Sequence, residues 1–385
     1  MKIFLLGATP SLYHSGVLDE GGCVQLSTAA EKLARTGGNT GNQIIAYGLL
    51  RALKYEEVSW DHSIGPARVN SEFDIIVIAA ANFLHTGFDF GGMASFIEAT
   101  QLPCVMVGVG AQSNTYSPDI DIKPGTQRLM QVVAERSKLI GARGPFTLEV
   151  LSRMGIHNVQ VTGCPSHYMG ARPELRVRKP PLGANPRLLF NSSRDVVSHA
   201  FDRDRMINVV CGLLAAAVES QSDFAPQSEL PEIQIGDGPD QPTFEAAFQT
   251  MLAHFPFYRR VAPVDQLSAW FRQHVRVYWD VAEWFDNVKK YDFVFGNRFH
   301  GNMIAIQAGV PACVICHDTR TTEMCEFLGI PSIGLMDLED ADAANINVAR
   351  LYDLVDPNAI QARYDILYPA FKQFLATNQL PTRLQ

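Results

Sequence analysis

The chain has 385 residues, 47% apolar and 19% charged, with a formal charge of −8 and a sequence pI near 5.7. That length exceeds one ordinary core and predicts two domains, while the composition excludes long disorder and fibrous repetition. The acidic balance gives no general reason to expect binding to nucleic acid, so an anionic ligand must find local cations.

In chain order, "KIFLLGA" at 2–8, "FDIIVIAA" at 73–80, "PCVMVGV" at 103–109, "KLIGA" at 138–142 and "NVQVTG" at 158–163 are short apolar runs closed by turn residues. Near-continuous runs of this kind predict parallel strands buried on both faces. Helical patterns lie between them: "NQIIAYGLLRAL" puts Ile45, Leu49 and Leu53 on one face, and "PFTLEVLSRMG" opens on proline and closes on glycine. The stretch 171–186, "ARPELRVRKPPLGANP", has five prolines or glycines and no hydrophobic period, and is expected to link the domains. Beyond it, strands are expected at "RLLFNS", "PEIQIG", "VRVYWD", "YDFVFG" and "PACVIC", with helices at 202–219, 241–254 and 264–273. The expected organisation is therefore α/β, with two Rossmann-like doubly wound domains over 1–175 and 187–356. A final segment, 357–385, contains a helix at 357–377 that can return across both domains.

The opening "MKIFLLGATP" is too short and too soon broken for a signal peptide, and no apolar run reaches about 18 residues. The expected address is the cytoplasm, without a transmembrane segment. Seven cysteines scattered between Cys23 and Cys325 predict reduced thiols. Cys313 and Cys316 form a CxxC, but in "PACVICHD" they alternate with apolar residues as a buried strand would.

Ligands of open α/β sheets bind beyond the carboxyl ends of the strands, so loops there are the candidate sites. In the first domain, "TGGNTGNQ" offers Asn39, Thr40 and Asn42 either as helix caps or as contacts to sugar hydroxyls. It is neither a Walker loop nor GxGxxG after a strand. "AANFLHTG" adds Asn82 and His85, and "GVGAQSN" adds Gln112. In the second domain, "GNRFHG" at 296–301 stands where a strand ends and a helix begins. There, unpaired backbone N–H groups favour an anion. Asn297 and Arg298 add donors, the latter a permanent fork for carboxylate or phosphate, and His300 adds a group that transfers protons near neutrality. "NSSRD" contributes Arg194 and "HDTRTTEMCEFLGIP" contributes Arg320 at two more strand ends. Three such arginines in one domain suit a small polyanion.

The block "DFVFGNRFHGNMIAIQAGVPACVICHDTRTTEMCEFLGIPSI" resembles the carboxyl-terminal signature of the polysaccharide pyruvyltransferase family. "GGNTGNQIIAYGLLRAL" and "LIGARGPFTLEVLSRMGIHNVQVTGCPS" resemble its amino-terminal and middle blocks. The resemblance implies a GT-B-like arrangement of the two domains and transfer of pyruvate from phosphoenolpyruvate to a saccharide acceptor as a ketal. It makes His300 the acid/base residue, Arg298 and Arg194 donor-binding residues, and the asparagine-rich side the acceptor side. Phosphoenolpyruvate is then a co-substrate, with no cofactor and no metal required. The sequence departs from the common family pattern at "AANFLH", at Asn42 and at Gly163-Cys164, all on the acceptor side. A lipid-linked acceptor would bring the work to the inner membrane surface. Two other functions fit the same cleft: a glycosyltransferase using a nucleotide sugar, and a noncatalytic sugar- or anion-binding protein. The oligomeric state stays open, with an oligomer compatible.

Overall fold

The structure is a computed structural model and describes residues 1–12, 28–238 and 240–385, so Cys23 lies outside the described residues. Two parallel sheets organise it. The first contains β1 (Lys2–Gly7), β2 (Glu57–Ser59), β3 (Ile75–Ala79), β4 (Cys104–Val109), β5 (Ile140–Ala142) and β6 (Val159–Val161), in the order β2-β1-β3-β4-β5-β6. The second contains β7 (Leu188–Asn191), β8 (Asp223–Phe224), β9 (Phe293–Gly296), β10 (Ala312–Cys316) and β11 (Ser332–Gly334), in the order β11-β10-β9-β7-β8.

Alternation within the strands explains the layers. Ile3, Leu5, Val77 and Val105 pack on one face with Ile45 and Leu49 of the helix Gly41–Ala52. Phe4, Leu6, Ile76 and Met106 pack on the other with Val69, Ile97 and Leu129 from three further helices. Because both faces are covered, each strand reads as a solid apolar run. The core on the Gly41–Ala52 side continues through Tyr168 and Met169 into the second domain. There the helix Pro357–Thr377 returns to the first domain, stacking Phe371 on Tyr168 at 4.1 Å. This is an α/β architecture of two parallel sheets flanked by helices.

Two expected strands are absent. "PEIQIG" belongs to the helix Leu230–Asp237, and 275–280 holds only an isolated bridge from Val275 to Phe224. Pro231 in the first turn suits a helix start, and the Ile233/Ile235 alternation misleads because this short helix is buried on more than one side. Strands β2, β8 and β11, like β5 and β6, have two or three residues each, too few to carry a period. The CxxC pair lies buried in β10 as free thiols.

In each sheet the chain reverses its direction of growth once, between β1 and β3 and between β7 and β9. Such switch points open a crevice at the strands' carboxyl ends. At the second, Gly296 has φ +147°, and a Cβ there would lie 1.6 Å from Asn191 O. Gly296→Ala is therefore expected to cost about 1–3 kcal/mol or more in urea unfolding, because the two strand ends must separate. An unchanged midpoint would contradict this.

Candidate active site

The loops after β7 and β9 are tied into one shelf. Asn191 O accepts from Asn297 N at 3.2 Å, and its Oδ1 accepts from Arg298 N and Asn302 Nδ2, both at 3.1 Å. Asn297 Oδ1 accepts from Ser193 N at 2.9 Å while its Nδ2 donates to Ser192 Oγ at 3.0 Å. The amide of Asn297, expected to meet the donor, is thus occupied in joining the loops.

Arg194 also differs from expectation. Its guanidinium is enclosed, donating to Tyr258 Oη at 2.5 Å and to Glu232, with Glu229 Oε2 at 3.0 Å and the Phe255 ring beneath it. A ligand anion would have to displace a carboxylate to reach it, so Arg194 stands behind the site rather than in it. Burial raises Glu229, but Arg194 and then Arg298 outweigh that and hold it at about 2. Burial and the neighbouring Glu229 charge push Glu232 the other way, to about 8, against the pull of Arg194. Glu229 therefore carries the pair's negative charge near neutrality.

Arg298 caps the helix Phe299–Gln307 through its backbone position, and its Nη2 lies 3.8 Å from Glu229 Oε2. Arg320 lies 3.7 Å from Asp318 Oδ2, and its buried Nε makes no hydrogen bond among the described residues. Asp318 accepts from Thr321 N and Oγ1 at 2.8 and 2.7 Å. Burial works against its ionisation, but His317, Arg320 and these hydrogen bonds keep it at about 2.

His300 is 6% exposed in the first turn of the same helix. Burial, then Arg143, Arg320 and Arg298, pull its pKa well below the ordinary histidine range, so the imidazole is neutral near neutral pH. Arg143 was not singled out by sequence. It follows β5 in the first domain, fully buried, and donates to Gly108 O at 2.8 Å and Ala80 O at 3.1 Å. The cluster pairs four guanidinium groups with two firmly ionised carboxylates, Glu229 and Asp318. An anion is the complementary guest.

The first domain closes over this shelf. Thr40 N donates to Gln227 O at 2.9 Å, and a Cβ on Gly41 would sit 2.6 Å from Gln227 Oε1 and 3.1 Å from His300 Cβ. Only glycine lets the helix start approach His300 so closely. Gln227 Nε2 is buried with no hydrogen-bond partner among the described residues, a donor that no sequence signal marked. Further along the seam, Gln112 Nε2 donates to Asp318 Oδ2 at 2.9 Å and Ser113 N donates to Thr319 Oγ1 at 3.0 Å. Glu323 Oε2 accepts from Thr147 N at 3.0 Å, and burial lifts this carboxyl to about 7.

The residues expected on the acceptor side divide between scaffold and cavity. Asn39 Oδ1 accepts from Gly41 N at 2.9 Å, and Asn42 Nδ2 donates to Thr36 O at 3.1 Å. Asn42 and Asn82 line a cavity of about 650 Å³ at the β1/β3 switch point, walled by Phe83, Phe88, Phe90 and Phe96. Asn82 donates to Gln112. His85 and Gln112 line a second cavity of about 430 Å³, closed on the other side by Ser198 and His199. His85 Nδ1 accepts from Gly87 N at 3.0 Å, and burial with His199 lowers its pKa.

Removing Arg194 strands the buried Glu229 carboxylate and leaves Glu232 without its guanidinium donor, so Arg194→Met should lose about 3–5 kcal/mol in urea unfolding. A loss below 1 kcal/mol would contradict its enclosed placement. Glu323 has a folded pKa raised above its unfolded value, so its stabilising contribution is complete below about 4.5 and lost as pH rises through about 7. Glu323→Gln lacks this loss and should gain stability relative to wild type between pH 5 and 8, roughly the window those values define. A pH-independent difference would contradict the shift.

A family model described as polysaccharide pyruvyl transferase matches residues 39–319. No match is found among the curated proteins. Among solved structures, a Methanocaldococcus jannaschii UDP-GlcNAc 2-epimerase in complex with UDP-GlcNAc and UDP is 12% identical over 97% of this chain and 100% of its own, with a TM-score of 0.42. The S. aureus MnaA–UDP structure is 16% identical over 82% and 78%, with a TM-score of 0.40. Anabaena Alr3699/HepE in complex with UDP and glucose is 14% identical over 81% and 78%, with a TM-score of 0.39. Likenesses at these scores say nothing of the activity. The family match takes in strands of both sheets and includes Arg143, Arg194, Arg298 and His300, and on it this chain belongs to the polysaccharide pyruvyl transferase family.

Proposed function

We propose that the protein transfers pyruvate from phosphoenolpyruvate to two hydroxyls of a saccharide as a ketal. The observation that carries this is the placement of a neutral, buried His300 among Arg143, Arg298 and Arg320 at the β7/β9 switch point. Phosphoenolpyruvate brings a phosphate and a carboxylate, two groups suited to guanidinium forks and to the start of the helix Phe299–Gln307. Arg298, Arg320 and Arg143 are assigned to these anionic groups, Gln227 Nε2 to a further hydrogen bond, and Arg194 to holding Glu229 behind Arg298.

Arrival of the two anionic groups offsets the arginine charges and raises His300 toward the imidazolium. In that form it gives a proton to the methylene carbon of phosphoenolpyruvate, and a sugar hydroxyl adds to the cation-like carbon beside it, its proton passing to the phosphate group that will leave. The imidazole, now neutral again, accepts a proton as the second hydroxyl adds and phosphate leaves with the bonding electrons. Closure of the seam keeps bulk water from competing for the same carbon. The acceptor is assigned to the first-domain side, where Asn42, Asn82, His85 and Gln112 line the two cavities. A lipid-linked saccharide is one acceptor class for the assay. No described helix is long and apolar enough to cross a membrane.

The test is incubation with phosphoenolpyruvate and a panel of free and lipid-linked glycosides, followed by phosphate release and the mass of the sugar. His300→Ala should lower turnover by about 10²–10⁴ while donor binding persists by calorimetry. Arg298→Ala should weaken donor binding itself. Full turnover in His300→Ala, or phosphate release with no acceptor at all, would sink the proposal, as would exclusive binding of nucleotide sugars.

A further inference from the structure

Cys164 follows β6 and is fully buried in the wall that meets His300. Its Sγ lies 3.4 Å from His300 Nε2 and accepts a hydrogen bond from Ser166 Oγ at 3.0 Å. A thiol that accepts from a serine still has its own proton to direct, and the imidazole nitrogen is the acceptor in reach. A ring nitrogen that accepts carries no proton in the neutral imidazole, so the proton stands on the other one. We propose that Cys164 is a positioning residue for His300: its thiol, aimed by Ser166, holds Nε2 and selects the Nδ1–H tautomer, which leaves the proton on the nitrogen opposite the thiol. The proposal rests on pyruvyl transfer through His300 for its catalytic meaning, whereas the tautomer is a property of the empty protein.

The surrounding charges show why a thiol suits this place. Arg143, Arg320 and Arg298 act on His300 from three different elements. The helix Gly41–Ala52, which abuts His300, has no charged side chain before Arg51 in its last turn. The segment Pro165–Tyr168 adds His167, itself buried, and β10 adds the thiols of Cys313 and Cys316. The helix Val281–Val288 adds an exposed Glu283 and Asp286, which pairs with Lys289 at 2.6 Å. No carboxylate hydrogen-bonds the imidazole among the described residues. A carboxylate at 164 would accept from Nε2–H and favour the charged ring before any donor arrives. The thiol orients the ring without doing so. When the ring is protonated on donor binding, Nε2–H can turn to the sulfur as an acceptor and Nδ1–H remains the proton available for transfer.

Two-bond nitrogen–proton spectra of protein carrying nitrogen-15 histidine read the tautomer directly, with the His300 signals assigned by their loss in His300→Gln. Wild type and Cys164→Ser, whose hydroxyl can still donate, should show the Nδ1–H pattern near neutral pH. Cys164→Ala should lose it, and Cys164→Asp should show Nε2–H together with a higher titration midpoint for the ring. An Nε2–H pattern in wild type, a measurement that needs no variant at position 164, overturns the proposal. So does retention of the Nδ1–H pattern in Cys164→Ala. In turnover, Cys164→Ala should lower kcat more than it changes KM for phosphoenolpyruvate, by less than the factor of about 10²–10⁴ lost with the imidazole, and Cys164→Ser should recover most of it. If the tautomer responds as stated and turnover does not, the inference stands and His300 is not the proton-transfer group.

Discussion

A guanidinium removed from water must be answered by a carboxylate, and at Arg194 two are present, Glu229 and Glu232. The rest of the anion-facing edge depends on that enclosure. Glu229 accepts from Ser193 Oγ and from Arg194 N, and faces Arg298. The cross-links of Asn191 and Asn297 then make the loops after β7 and β9 a single shelf. Arg298 and His300 are therefore held in place before any ligand arrives, the condition under which fixed charges act most strongly on a developing charge.

The second constraint is the closed seam between the domains. Thr40, Gln112, Ser113 and Thr147 of the first domain all hydrogen-bond groups of the second. Among the buried residues of this seam, Coulomb effects are stronger than at a surface. Burial, and then three arginines, one of them from the opposite domain, therefore hold His300 neutral. The same seclusion lifts Glu323 to about 7 while Asp318, beside His317 and Arg320, stays at about 2. The neighbours His317 and Arg320 at Asp318 therefore separate two buried carboxyls that both accept hydrogen bonds.

Much of the fold was legible because its signals are local. The solid apolar runs at β1, β3, β4 and β10, the proline that opens the helix Pro145–Arg153 and the junction at "GNRFHG" each lie within a dozen residues. "PEIQIG" misled because burial on several sides removes the link between apolar spacing and a single face. In the site, Arg298 and His300 stood out because they are close in sequence. Arg143, Gln227, Glu229 and Glu232 did not, and Cys164 showed only as a departure from the family pattern, because each becomes meaningful only through a partner far along the chain.

The sequence by itself determined the α/β alternation, the chemical groups at the strand ends and the presence of a proton-transfer group beside a permanent cation. These depend on backbone period and side-chain identity over short spans. Tertiary structure alone decided that Arg194 is enclosed while Arg320 keeps a buried Nε that makes no hydrogen bond among the described residues. It also decided that Asn297 ties loops together and that His300 meets a thiol rather than a carboxylate. Those outcomes follow from strand order and domain closure, because charge state and hydrogen-bond partnership depend on distance and on the exclusion of water, neither of which is encoded locally.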